Sequence, residues 1–244
     1  DGPGLFAVDG ATLTVEECLV RGNVGIGVLL RDSGTKAEFL RTVVADTLLG
    51  APESWCSGVA VWSGASASME ESVLSGNHES GLWVDGAGSA ATLERVAVVG
   101  TLPNPAAGWG DGIWATSGAT FTAAGCIFHG NSSSALFLEG ASAEVVASSL
   151  SATLPSGGWS GVGAMVFGEA NLKLSTSLLS SNIDAGLLVG EEGSLADVDN
   201  SAILSTSPGA SGKGGWGVRV GDRGSVKLRN SLVGGNQYSG VEVL

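Results

Sequence analysis

The sequence predicts an all-β fold, a single-stranded parallel β-helix: a solenoid of about ten coils in which short coils of 23 residues alternate with longer ones of about 31. Three observations predict it. A small residue followed by apolar-x-apolar recurs at Gly4, Gly27, Gly58, Gly81, Gly112, Ala135, Gly163, Gly186, Gly217 and Gly240, at spacings of 23, 31, 23, 31, 23, 28, 23, 31 and 23 residues. The composition, with 40 Gly, one Tyr and only 11 Lys and Arg among 244 residues, suits short strands and tight turns better than amphipathic helices. The columns through this register stay apolar, as a solenoid interior must.

The first strand follows each start. One inward column reads Leu5, Val28, Val59, Leu82, Ile113, Leu136, Ala164, Leu187, Val218 and Val241. Two places on, Ala7, Leu30, Val61, Val84, Ala115, Leu138, Val166, Val189, Val220 and Val243 form the second. A separation of two puts both on one face of a strand. A second strand is expected in the short coils, with Leu13 and Val15, Ala67 and Met69, Phe121 and Ala123, Leu172 and Leu174, and Val226 and Leu228 turned inward. A third apolar position falls at Leu19, Val73, Ile127, Leu178 and Leu232. With each fully buried side chain contributing roughly 1.5–3 kcal/mol, such a core holds without metal, cofactor or disulfide.

This coil length and column pattern resembles the pectin-lyase-like superfamily of right-handed parallel β-helix repeat proteins, across residues 1–244 as one segment. The resemblance implies a right-handed coil with three strands per turn. It also implies that catalytic residues, where there are any, stand on the outward face of the first strand.

Turn signals fit the same frame. Asn23, Asn77, Asn131, Asn182 and Asn236 follow each short-coil start by nineteen residues, and the ability of Asn to adopt the left-handed conformation suits a sharp corner. The long coils would carry Asp46, Gly100 and Ser205 at the matching position. Cys18 and Cys126 share a column with Ser72, Ser177 and Ser231, as small inward fillers, whereas Cys56 sits in an insert and is the candidate reactive thiol.

The extra residues of the long coils all enter just before the next start, at 48–57, 102–111, 154–162 and 207–216, each with one tryptophan: Trp55, Trp109, Trp159 and Trp216. Beside them the outward positions of the first strand are also apolar: Phe6, Leu29, Ala60, Trp83, Trp114, Phe137, Met165 and Leu188, with Trp62 and Phe167 further along. Two arrangements follow. The inserts fold back and bury a second small core, or Trp55, Trp109, Trp159, Trp216, Trp83 and Trp114 form an exposed aromatic edge able to bind polysaccharide or a protein.

Candidate chemistry is sparse. On the outward face Asp85 and Glu139 share a column two coils apart, near 10 Å at the strand spacing, at the margin for an inverting carboxylate pair. His78 and His129 do not share a column, and no metal-ligand spacing is present. A net charge of −13 disfavours nucleic acid and anionic membranes, and no apolar run reaches bilayer length. The sequence thus points to a non-catalytic extracellular or cell-surface scaffold with an aromatic binding edge. The alternative is a carbohydrate-active enzyme, a lyase, hydrolase or epimerase, using Asp85 and Glu139. Neither end carries a polar cap, so the segment is expected to be part of a longer repeat array or to assemble end to end.

Overall fold

The computed structural model describes residues 2–50, 55–106, 108–156, 161–210 and 212–244. The chain is a parallel β-solenoid of three sheets, and the described residues include no helix. The first sheet has ten strands, from Leu5–Ala7 to Ser239–Val243; the second and third have nine each. Every strand pairs in parallel with its equivalent one coil away: Leu5 faces Val28, Leu82 faces Ile113, and Leu187 faces Val218. The core of the first two sheets lies where the apolar columns place it. Val28, Val59, Leu82, Ile113, Leu136, Ala164, Leu187 and Val218 are all fully buried. In the second sheet Ala67, Met69, Phe121, Ala123, Leu172 and Leu174 point inward.

The third sheet is shifted by one residue from its expected phase. Leu19, Ile127, Leu178 and Leu232 face out, with 37–63% of their surface exposed, and the inward column is Val44, Leu74, Val98, Phe128, Leu150, Leu179 and Ile203. These strands are only three residues long, so a single side chain of each points in. Because the residue on either side of the phase boundary is apolar in Val73-Leu74, Ile127-Phe128 and Leu178-Leu179, alternation does not fix the phase.

The asparagines are not the left-handed corner residues. Positive φ falls on the residue before each: Gly22, Gly76, Gly130, Ser181 and Gly235. The carboxamides instead turn inward, and Asn77, Asn131 and Asn182 are completely buried. The third-sheet pairing sets them opposite threonines, one place beyond the expected partners: Asp46 aligns with Gly76, and Thr47 with Asn77. Asn131 Nδ2 donates to Val98 O at 3.1 Å, while its Oδ1 accepts from Thr101 N at 3.0 Å and Thr101 Oγ1 at 2.8 Å. Asn77 makes the same backbone bonds with Val44 O and Thr47 N, and Asn182 repeats the whole set with Leu150 and Thr153. The result is a buried row in which Asn and Thr alternate.

That row explains the small residue at each strand start. A Cβ on Gly112 would lie 2.5 Å from Ala135 O and 2.8 Å from Asn131 Nδ2, and Gly58 and Gly163 face the same obstruction from Asn77 and Asn182. A second polar row lines the corner between the second and third sheets. There the Ser148, Ser177 and Ser201 hydroxyls each accept the N–H of the preceding coil, from Cys126, Ser148 and Ser177, and donate to a carbonyl two residues back. Cys126 packs in this row as expected, whereas Cys18 is exposed and is not an inward filler.

Candidate functional site: the aromatic face and its buried carboxyls

The outward face of the first sheet collects most of the aromatic side chains. Pairing in register sets Trp83 on Trp114, and their rings stack at 4.7 Å and 8°. Parallel strands repeat at about 4.8 Å, so identical flat side chains one above the other meet at stacking distance without adjustment. Trp62 meets Trp83 edge-on at 4.8 Å, and Phe137 continues the row at 6.4 Å from Trp114. The inserts cover this row. Trp55 leans over both members of the stack, 4.9 Å from Trp83 and 6.3 Å from Trp114, and Trp109 meets Trp114 edge-on at 4.9 Å. Trp216 stands apart near the far end, against Tyr238 and beneath the Arg219 guanidinium. Trp159 lies outside the described residues.

Both arrangements expected of the tryptophans are present in part. Trp83 and Trp114 are 8% and 6% exposed, as in a second core, whereas Trp55 on top of them is 51% exposed. The indole N–H groups of Trp62, Trp83 and Trp114 are buried, and none meets an acceptor among the described residues. A buried donor without a partner costs about 1–3 kcal/mol.

Asp85 and Glu139 stand in one column with Thr116 between them. Asp85 Oδ1 accepts the Thr116 hydroxyl at 2.6 Å, and Glu139 is exposed. The histidines are separated: His78 Nδ1 lies 2.6 Å from Thr47 O, and the exposed His129 has Nδ1 3.1 Å from Ser151 Oγ. The described residues hold no group of three His, Cys, Asp or Glu side chains placed to share a metal ion. Cys56 is not a reactive surface thiol. It is fully buried, with its sulfur 3.5 Å from Leu48 O, and burial raises its pKa.

Two carboxyls that the sequence reading passed over lie under the inserts. Glu79, 2% exposed, accepts the Cys56 N–H at 3.0 Å and the Asn104 side-chain amide at 3.1 Å, both on Oε2. One oxygen thereby ties the insert of Trp55 to that of Trp109, whose own carbonyl accepts the Asn104 N–H. Asp111, also 2% exposed, accepts the Ser134 hydroxyl at 2.6 Å. It lines a cavity of about 30 Å³ with Trp109, Ser133, Phe137 and Met165. Desolvation raises both carboxyls, Asp111 to about 7 against the pull of its Ser134 and Ser133 hydrogen bonds. The first strand begins at Gly110, ahead of the repeat's Gly112, so Asp111 belongs to a strand rather than to the insert's end. The available signal was its column, an acid among Ser57, Ser80 and Ser134.

Three parallel sheets wound about one apolar core, with an aromatic outer face, define a β-helix protein. The chain matches the right handed beta helix region model over residues 57–244 and belongs to that family. No curated protein matches it in sequence. Among solved structures it is similar to the Dettilon tailspike protein, with a TM-score of 0.60 and 14% identity, covering 87% of this chain and 40% of that one. A mannuronic acid specific polysaccharide family 6 lyase from human gut microbiota aligns with a TM-score of 0.38 and 12% identity, over 97% of this chain and 68% of that one. The chain thus spans less than half the length of the tailspike it resembles. The likeness to the tailspike is one of fold.

Proposed function

We propose that this chain is a non-catalytic β-helix scaffold of the cell exterior or cell surface, whose aromatic face binds polysaccharide. The finer winding belongs to the same reading: about ten coils, alternately short and long, that bring the inserts to one edge. The observation that carries the proposal is the half-exposed indole of Trp55 seated over the stacked Trp83–Trp114 pair. A sugar ring suits this surface, because its axial C–H face matches an indole plane.

The test is affinity electrophoresis of the folded chain through gels containing dextran, β-glucan, pectin or alginate, with Trp55→Ala and Trp109→Ala beside it. Retardation by at least one polysaccharide, weakened about tenfold in Trp55→Ala, which corresponds to about 1.4 kcal/mol, is the expected result. No retardation in any gel, or retardation unchanged in both variants, overturns it. The enzymatic alternative rests on Asp85 and Glu139 with the Thr116 hydroxyl between them. Release of reducing ends or unsaturated uronates, abolished in Asp85→Asn, would replace the scaffold reading with that one.

A further inference from the structure

The inserts of Trp55 and Trp109 meet the solenoid at a buried, acidic point. Glu79 Oε2 takes one hydrogen bond from each insert, and Asp111 sits in the adjoining coil, where Ser80 beside Glu79 is paired with it across the strands. Asp111 is held by serine donors, and no cation faces it among the described residues. Asp111 shares with Trp109, Ser133, Phe137 and Met165 a small cavity that has room for a water molecule or two.

We propose that Asp111 is a proton-controlled trigger and Glu79 the tie of a clasp that holds the inserts closed over the aromatic face at acidic pH and releases them as pH rises past neutrality. The inference deepens the binding reading, since it concerns the same face, but the clasp operates without a ligand. A protonated Asp111 is compatible with an apolar wall and a neighbouring carboxyl. An ionised one needs more water than that small cavity holds, and Trp109 and its insert border the cavity. The surroundings support this direction. From the preceding coil the titratable group facing Asp111 is Glu79, whose charge opposes a second one; from the following coil come only Ser133 and Ser134. The insert contributes Asn104 and Trp109, which do not titrate. Cys56, bonded through its N–H to Glu79, has its thiol pushed up and adds no charge. His78, next to Glu79 in the chain, has Nδ1 engaged with Thr47 O.

The sign is fixed by burial. Asp111 is raised from the ordinary carboxylate range to about 7, so closure is favoured below that range and is lost as pH climbs through neutrality. The experiment is iodide quenching of tryptophan fluorescence in the ligand-free chain from pH 5 to 9, with far-UV circular dichroism confirming that the fold is retained. Quenching should rise severalfold with a midpoint near neutrality in the wild type. It should stay at the low value throughout in Asp111→Asn, and the transition should move to higher pH or shrink in Glu79→Gln, which keeps the acceptor and removes the charge that opposes ionisation of Asp111. Quenching that does not change with pH in the wild type, or an identical transition in Asp111→Asn, overturns the proposal. Should Asp111→Asn fail to fold, hydrogen exchange of residues 102–106 and 108–110 in the wild type serves instead. After correction for intrinsic rates, selective acceleration above pH 7 supports the clasp, and uniform behaviour sinks it. Loss of polysaccharide binding in every gel, with this transition intact, would remove the binding reading and leave the clasp standing.

Discussion

Asn131 satisfies three groups at once: the Val98 carbonyl, the Thr101 N–H and the Thr101 hydroxyl, all in the preceding coil and all sealed from water. Replacing it by Ala strands those groups without admitting solvent, so Asn131→Ala should lower stability by about 3 kcal/mol or more in urea titration. Asn→Asp should do comparable damage, because a carboxylate cannot donate to Val98 O. Gly112→Ala should be as harmful for a steric reason, its Cβ falling 2.5 Å from the next coil's carbonyl. The cysteines separate by environment rather than by position in an insert. Mass-spectrometric labelling of the native chain at pH 7.5 should modify the exposed Cys18 and spare Cys56 and Cys126, whose thiols burial makes both inaccessible and harder to ionise.

At the level of the element, the first and second sheets were readable because two inward side chains per strand define a phase. Val28 with Leu30 and Leu172 with Leu174 leave no alternative. The third-sheet strands show one inward residue each, and Ile127-Phe128 satisfies either assignment until the corner geometry chooses. The choice is measurable: Phe128→Ala should cost about 3–5 kcal/mol, whereas Ile127→Ser should change stability by no more than about 0.5 kcal/mol. The insert tryptophans were legible as a set, since each closes its insert, but their depth was not. Depth depends on Trp83 and Trp114 being stacked beneath Trp55, which is a matter of pairing between coils. Glu79 and Asp111 were missed for a related reason. Neither belongs to a spacing motif; what sets them apart is that two loops close over them, and loop closure is not written in local sequence.

For the molecule as a whole, a chain of net charge −13 is also one with a buried acid that prefers to be neutral. Most carboxylates in folded proteins gain stability from ionising; Asp111 works in the opposite sense. Its folded-state value near 7 lies above its unfolded value, so the native state binds the extra proton and stability falls as pH rises from about 4 to 7. A shift of this size corresponds to an effect on the order of 4 kcal/mol. Denaturation midpoints should therefore decline across that range in the wild type and be flatter in Asp111→Asn. Elsewhere the negative charge is partly balanced in ladders across coils, such as Arg41 with Glu17 and Arg95 with Glu70 and Glu71. These pairs are exposed, and their contribution to stability is small.

The alternation of Asn and Thr through the interior also sets how such a molecule can change length. Asn77, Asn131, Asn182 and Asn236 each reach back to a Thr in the coil before, and a Thr cannot stand in for the Asn: two threonines in succession would leave the carbonyl that Asn caps without a donor. Removing one Asn coil sets Thr against Thr, while removing two adjacent coils keeps the alternation. The coil pair, rather than the single coil, is thus the unit whose loss or duplication preserves the row.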